Sequence, residues 1–306
     1  MRNTKAHMLF FWEGRFDMAN IYRFLRFPEG KLKAVTFSYD DGVRADIRFA
    51  KILDDHGMKG TININSSRVK DGSNNALTFD ELREHILGKG HEVALHGAFH
   101  RAPCLQRTVD GIRDVLDCRI RLESNLGTII RGMAYPDSGI RQMGNFGSYE
   151  QIKQYLTELD IVYARTLGGD NDSFMLPRDF HAWMPSAHHD NPKIMEYIQK
   201  FLDLDISAMN HWTRLPRLLY IWGHSYEFDR KDNWDHMEEI CEKLANNEDI
   251  WYATNIEIYD YTQAYKSLIY SADGHRIYNP TLFTVWLCID GKICCVKYGE
   301  TLRVSD

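Results

Sequence analysis

The sequence predicts an α/β fold: a parallel, incomplete barrel of seven or so βα repeats followed by a small antiparallel β appendage. Three observations carry that prediction. Strand-like and helix-like segments alternate from about residue 33 to about residue 268. Several of the apolar, β-branched runs end in residues that can do chemistry, which is where a parallel barrel keeps its sites. After Ser271 the pattern changes to short strand-like runs around Asp290-Gly291. The division drawn from this is a barrel over residues 1–270 and an appendage over 271–306.

The first strand, KAVTFSYDDG over 33–42, delivers Asp40 and Asp41 into a glycine. Adjacent carboxylates repel, so the pair sits best with a cation or a proton between them, although Asp-Asp-Gly by itself is equally a solvated turn. Residues 43–56 place Val43, Ile47, Ala50 and Leu53 at helical spacing with Gly57 as a stop, and GTININ follows as the second strand. Thr78 and Glu81 have the spacing of a capping box for a helix to about Leu87. The next strand runs into VALHGAFH, which offers His96 and His100. Residues 109–122 read as an amphipathic helix with Val109, Ile112, Val115, Leu116 and Ile120 on the core-facing stripe.

The alternation continues with strands over 128–135, 161–165, 218–222 and 250–254, and helices over 149–159, 192–204, 233–245 and 256–268. In the tail, TLFTVWLCI and KICCVKY flank the Asp290-Gly291 turn and TLRV follows; their aromatic residues are expected to pack on the barrel.

Composition sets looser bounds. A chain of 306 residues with 44% hydrophobic content can bury one large core. Its net charge of -6 argues against nucleic acid, which demands a basic footprint, while a neutral glycan makes no such demand. The six cysteines form no CxxC pair and read as reduced and buried. In residues 1–20 a short apolar patch is interrupted by Glu13, Arg15 and Asp17, which reads as mature, cytoplasmic protein without a signal peptide. No run approaches eighteen uninterrupted apolar residues, so no membrane partner is expected, and the oligomeric state stays open.

A carboxylate and two imidazoles brought together at neighbouring strand ends would make a three-ligand site for a divalent metal, with positions left open for water. With GMAYPDSG at 132–139 and YIWGHSYEF at 220–228 added to TFSYDDG and HGAFH, four motifs stand in order, each after a strand-like run. In this the sequence resembles the polysaccharide deacetylase family, the NodB-type carbohydrate esterases, over residues 33–255. The resemblance implies a NodB-type distorted (β/α)7 barrel and a hydrolase that removes acetyl groups from an N-acetylated or O-acetylated carbohydrate. It implies Asp41, His96 and His100 as metal ligands, with zinc first and cobalt, nickel or manganese as alternatives. Asp40 would be the catalytic base and His224 the acid that protonates the leaving amine. The four-residue interval between His96 and His100 reads as one helical turn.

The third motif departs from the family pattern: Ala134 stands where the family carries arginine and Asp137 where it carries tyrosine. Tyr135, Pro136 and Asp137 remain candidates for the groove wall and, through the Asp137 N–H, for the oxyanion donor. A stand-in cation for the base is expected at Arg165, with Arg131 second; either arginine alone is ordinarily a salt-bridge former. Trp183, in HAWMPSAHH, is the groove-wall candidate from the fourth motif. His188 and His189 have ligand composition but read as a loop surface. Two alternatives stand beside the deacetylase: a metal-dependent amidohydrolase of a small non-sugar amide, and a catalytically inactive glycan-binding relative.

Overall fold

The computed structural model describes residues 22–304 apart from 70–74, 138, 142, 145–146 and 211–213. The reading of residues 1–20 lies outside the described residues. Nine of the strands are β1 (Arg23–Arg26), β2 (Lys33–Asp41), β3 (Gly60–Ile64), β4 (Glu92–Leu95), β5 (Gly132–Ala134), β6 (Tyr163–Arg165), β7 (Ala187–His188), β8 (Arg217–Gly223) and β9 (Ile250–Tyr252). A parallel sheet runs in the order β6-β5-β4-β3-β2-β8-β7, with β9 also paired to β2. This is the curled, incomplete barrel that the alternation of segments predicts.

Strand β2 explains why the site forms where it does. Its side chains alternate between two surroundings, Val35, Phe37 and Tyr39 packing under the helices with Phe49, Leu53 and Ile240. On the other face Thr36 meets Asn255 at 2.9 Å and Ser38 accepts from Asn63 at 2.8 Å. Asp40 shares this polar inner face by period two. Nearer the opposite end of the sheet, Glu92 at the start of β4 accepts from Thr61 Oγ1 (2.8 Å), Tyr163 Oη (2.7 Å) and the amide of Ile256 (2.9 Å). Burial pushes the Glu92 carboxyl up to about 7 against these hydrogen bonds.

The helices fall close to their predicted places, with two corrections. Over Thr108–Leu126 the buried residues are Gly111, Asp114, Val115, Cys118, Leu122 and Leu126, whereas Val109, Leu116 and Ile120 of the expected stripe are exposed. The helix is turned because Gly111 lies where an added Cβ would meet Tyr155 Oη at 2.9 Å, and because Asp114 reaches under the loop that carries the histidines. The second correction concerns Trp183, which forms no groove wall. It is 1% exposed, with edge contacts to Tyr163, Phe180 and Tyr220. Its backbone bonds to Ala164 and Thr166 on the β6 side, while Ser186 bonds to Tyr220, so residues 183–186 bridge the gap between β6 and β8.

In the tail the Asp290-Gly291 turn joins β12 (Val285–Ile289) to β13 (Lys292–Val296), both turn residues having positive φ as a two-residue hairpin requires. Strand β10 (Ile269–Tyr270) pairs with β11 (Arg276–Tyr278), which pairs with β14 (Thr301–Arg303). β1 pairs with β12, so these two small sheets draw strands from both sides of residue 270. All six cysteines are free thiols, with Cys104, Cys118, Cys241 and Cys288 buried. No helix among the described residues is long and apolar enough to cross a membrane.

Candidate active site

Asp40 and Asp41 close β2, and simple alternation would send them to opposite faces. The chain breaks that rule at Asp41, whose φ of 87° ends the extended run as Gly42 turns away. Asp40, 3% exposed, accepts from Asn63 Nδ2 at 2.9 Å; Asn63 is its register partner on β3. Its other oxygen takes Nη2 of Arg165, which ends β6. The guanidinium lies 4.6 Å from the centre of the Trp222 ring, so it is held between a carboxylate and an aromatic face. Burial by itself would raise the Asp40 carboxyl, but Arg165, then His96 and His224, overcome it and hold the group below the usual carboxylate range.

His96 follows β4 and donates from Nδ1 to the carbonyl of Ala134, 2.9 Å away at the end of β5. That hydrogen bond leaves Nε2 with its lone pair toward the strand ends, 3.8 Å from Asp40 Oδ2. Residues 96–100 form no helical turn, contrary to the expectation from their spacing. Gly97 (φ 71°) packs where an added Cβ would lie 2.4 Å from Asp114 Oδ2, and Asp114 accepts the amides of Phe99 and, at its carbonyl, Ala98. His100 at φ 55° then turns back, its ring centre 4.9 Å from that of His96. His100 Nε2 lies 3.6 Å from Asp41 Oδ1 and its Nδ1 3.6 Å from Asp137 Oδ1.

One ligand atom each from Asp41, His96 and His100 falls within 4.8 Å of the others. One carboxylate and two imidazoles, the His96 tautomer being set by a backbone carbonyl, are a donor set that suits zinc with open positions. The residues present therefore fit a divalent metal. Arg68 Nη1 holds Asp41 Oδ1 at 3.0 Å, and beside it an open cavity of about 640 Å³ is lined by Asp41, Arg68, Asn75 and Phe99.

At the end of β8, His224 is 21% exposed and its Nδ1 lies 3.4 Å from Glu227 Oε1. Burial lowers its pKa, but the Glu227 contact first and then the Asp40 field reverse the sign, leaving the imidazole above its ordinary value. His188 and His189 are not a loop surface. His188 ends β7, register-paired with Trp222, and its Nε2 lies 3.2 Å from Glu227 Oε2. His189 is fully buried, its ring stacked on Tyr39 and Phe228, because bonding of its amide to the Trp222 carbonyl carries it under Gly223.

Of the remaining candidates, Asp137 stands beside His100, and no described residue accepts its amide N–H. Pro136 is buried next to it. Tyr135 lies in the core, with its amide bonded to Arg165 and its hydroxyl donating to His181 O at 2.8 Å, so its side chain faces no groove. Arg131 starts away from Asp40 in an ion pair with Asp260. Sequence reasoning passed over Asn63, Trp222 and Glu227. The signals were present: an asparagine inside the apolar strand GTININ, and an aromatic and an acid flanking the histidine in YIWGHSYEF.

Residues 28–144 match the polysaccharide deacetylase family. No curated protein matches the chain. Among solved structures, a Mycobacterium smegmatis protein described as a polysaccharide deacetylase is 17% identical, over 79% of this chain and 94% of that one, with a TM-score of 0.53. Puue allantoinase is 11% identical over 76% of this chain and 90% of its own, also at 0.53. The Streptococcus pyogenes deacetylase PplD, solved with acetate, is 19% identical over 43% of this chain, which spans 55% of its length, with a TM-score of 0.38. At such identities the likeness to solved structures is one of fold. With the family match, it bears out the resemblance read from the motifs and the NodB-type barrel.

Proposed function

We propose that this member of the polysaccharide deacetylase family, matched over residues 28–144, is a metal-dependent hydrolase that removes acetyl groups from an N-acetylated or O-acetylated carbohydrate. Asp41, His96 and His100 would hold the metal, zinc before cobalt, nickel or manganese. When bound, it supplies a Lewis acid for the acetyl carbonyl and lowers the pKa of water. Asp40, kept ionised by Arg165, accepts a proton from the attacking water. The Asp137 N–H is offered to the carbonyl oxygen as negative charge develops there. His224 gives its proton to the departing nitrogen or oxygen as the acyl bond breaks, so the products are acetate and a free amine or hydroxyl. Arg165 stacked near Trp222 keeps the base's partner out of water.

The observation that carries the proposal is the convergence of Asp41, His96 and His100 ligand atoms within 4.8 Å, next to the buried Asp40. The test is acetate release by zinc-loaded protein from N-acetylhexosamine oligomers and from acetylated xylan. Release from either substrate supports the reading. Protein with metal bound that releases acetate from neither contradicts it.

A further inference from the structure

Glu227 is shared. Its Oε1 faces His224 Nδ1 at 3.4 Å and its Oε2 faces His188 Nε2 at 3.2 Å, so two imidazoles approach one carboxylate from opposite oxygens. We propose that His188 is a positioning residue for the acid, holding Glu227 in the orientation that charges and aims His224. The tautomer of His188 agrees with this. Its Nδ1 accepts the amide of Asp190 at 3.1 Å, so a neutral ring carries its proton on Nε2, toward Glu227. The ring plane is fixed as well, by an edge contact to Trp222 with centres 4.6 Å apart. Neither contact is an aligned hydrogen bond in the free protein, and catalytic hydrogen bonds are commonly long or poorly aligned until substrate binds.

The surroundings single out His188 for this role by its tautomer and its fixed ring plane. His189 Nε2 also reaches Glu227, at 3.3 Å, but it lies between that carboxylate and Asp190 Oδ2, 3.5 Å away, so its N–H is divided between two acceptors. Asp190 is engaged by Lys231 and His236 Nε2 bonds the His189 carbonyl, so neither competes for Glu227. On its other sides His224 meets Tyr226 and Trp222 and feels the fields of Asp40 and Asp41. The four side chains His188, His189, Asp190 and Glu227 also have donor atoms within 4.8 Å of one another, the spacing of a cation site. A cation there would have to displace both the Nε2 proton of His188 and the Lys231 ammonium, which is why positioning is the stronger reading.

The inference rests on the hydrolase reading only for the word acid, so its test needs no turnover. The probe is the NMR titration of His224 in histidine-labelled, zinc-loaded protein, compared among wild type, His188→Phe and His188→Gln. Phenylalanine keeps a ring against Trp222 but has no N–H; glutamine keeps a donor that can reach Glu227. With the hold removed, Glu227 turns away and the His224 pKa falls, by about one pH unit or tenfold in the protonation constant. His188→Gln restores most of it. Two results overturn the proposal: a His224 pKa unchanged in His188→Phe, and a second zinc ion per wild-type chain that is lost in His188→Gln, which would mark a cation site instead. Where acetate release is measurable, His188→Phe lowers kcat with KM nearly unchanged; a rise in KM alone would make His188 a substrate contact and likewise sink the positioning role.

Discussion

Ala134 and Arg165 face each other across the β5–β6 pairing, and the guanidinium that the family carries on the first of these strands reaches Asp40 here from the second. The small Ala134 side chain leaves room, while its carbonyl accepts from His96. A cation for the proposed base and an anchor for a proposed metal ligand thus come from two register neighbours. Arg165→Ala leaves Asp40 buried without its main opposing charge. Burial then raises the carboxyl, the acid limb of kcat/KM moves to higher pH, and activity falls about a hundredfold or more. Losing one member of a buried pair also costs roughly 3–5 kcal/mol of stability, measurable by urea melts. An acid limb that stays in place would separate Arg165 from the base.

His224→Ala is expected to lose about a hundredfold to ten-thousandfold on an acetylated amino sugar and far less on an activated acetyl ester, whose leaving group needs no proton. Paired rates on the two substrates check this. Equal losses on both would assign His224 to binding or folding.

Much of this arrangement was legible in the sequence, for stated reasons. The β2 run and its two aspartates announce a strand end, and the order of TFSYDDG and HGAFH announces the family, because both patterns are local. Arg165 was legible as a substitute only because Ala134 leaves a charge deficit that a nearby strand end can fill. What stayed hidden depends on side-chain direction across the fold. Trp183 looks like a groove wall in one dimension but is drawn into the gap of the barrel by bonds to Ala164 and Thr166. The turn between His96 and His100 has helical spacing but follows Gly97 and Asp114 instead. Glu227 acquires its meaning from His188, some forty residues away in sequence.

Asp114 anchors the loop that carries both histidines through the amides of Ala98 and Phe99. Asp114→Ala should therefore weaken zinc binding by about tenfold to a hundredfold, the usual size for losing an outer support of a metal site. Competition against a zinc-binding dye measures it. Unchanged affinity would mean that the loop holds its shape without that carboxylate.

Glu92 supplies a pH dependence of stability that is separate from activity. Its folded pKa of about 7 lies above the unfolded value near 4.3, so its stabilising contribution is complete below the unfolded pKa and is lost as pH rises through the folded one. Glu92, with buried Asp46 also near 7, should pull stability down from pH 5 to pH 7 against the opposite slope from buried neutral histidines such as His189, and Glu92→Gln should turn the net slope upward relative to wild type. Urea midpoints at four pH values suffice. A slope identical in the variant would mean that Glu92 ionises as easily folded as unfolded.

The central claim is that Asp40 drives hydrolysis beside a metal held by Asp41, His96 and His100. The most direct measurement is acetate release by wild type and Asp40→Asn, each with zinc content determined, before and after chelation and re-addition of zinc. The account predicts one zinc ion in both proteins, turnover by wild type that disappears on chelation and returns with zinc, and a loss of about a hundredfold to ten-thousandfold in Asp40→Asn with its zinc retained. Turnover that survives chelation, or an Asp40→Asn protein as fast as wild type, would contradict it.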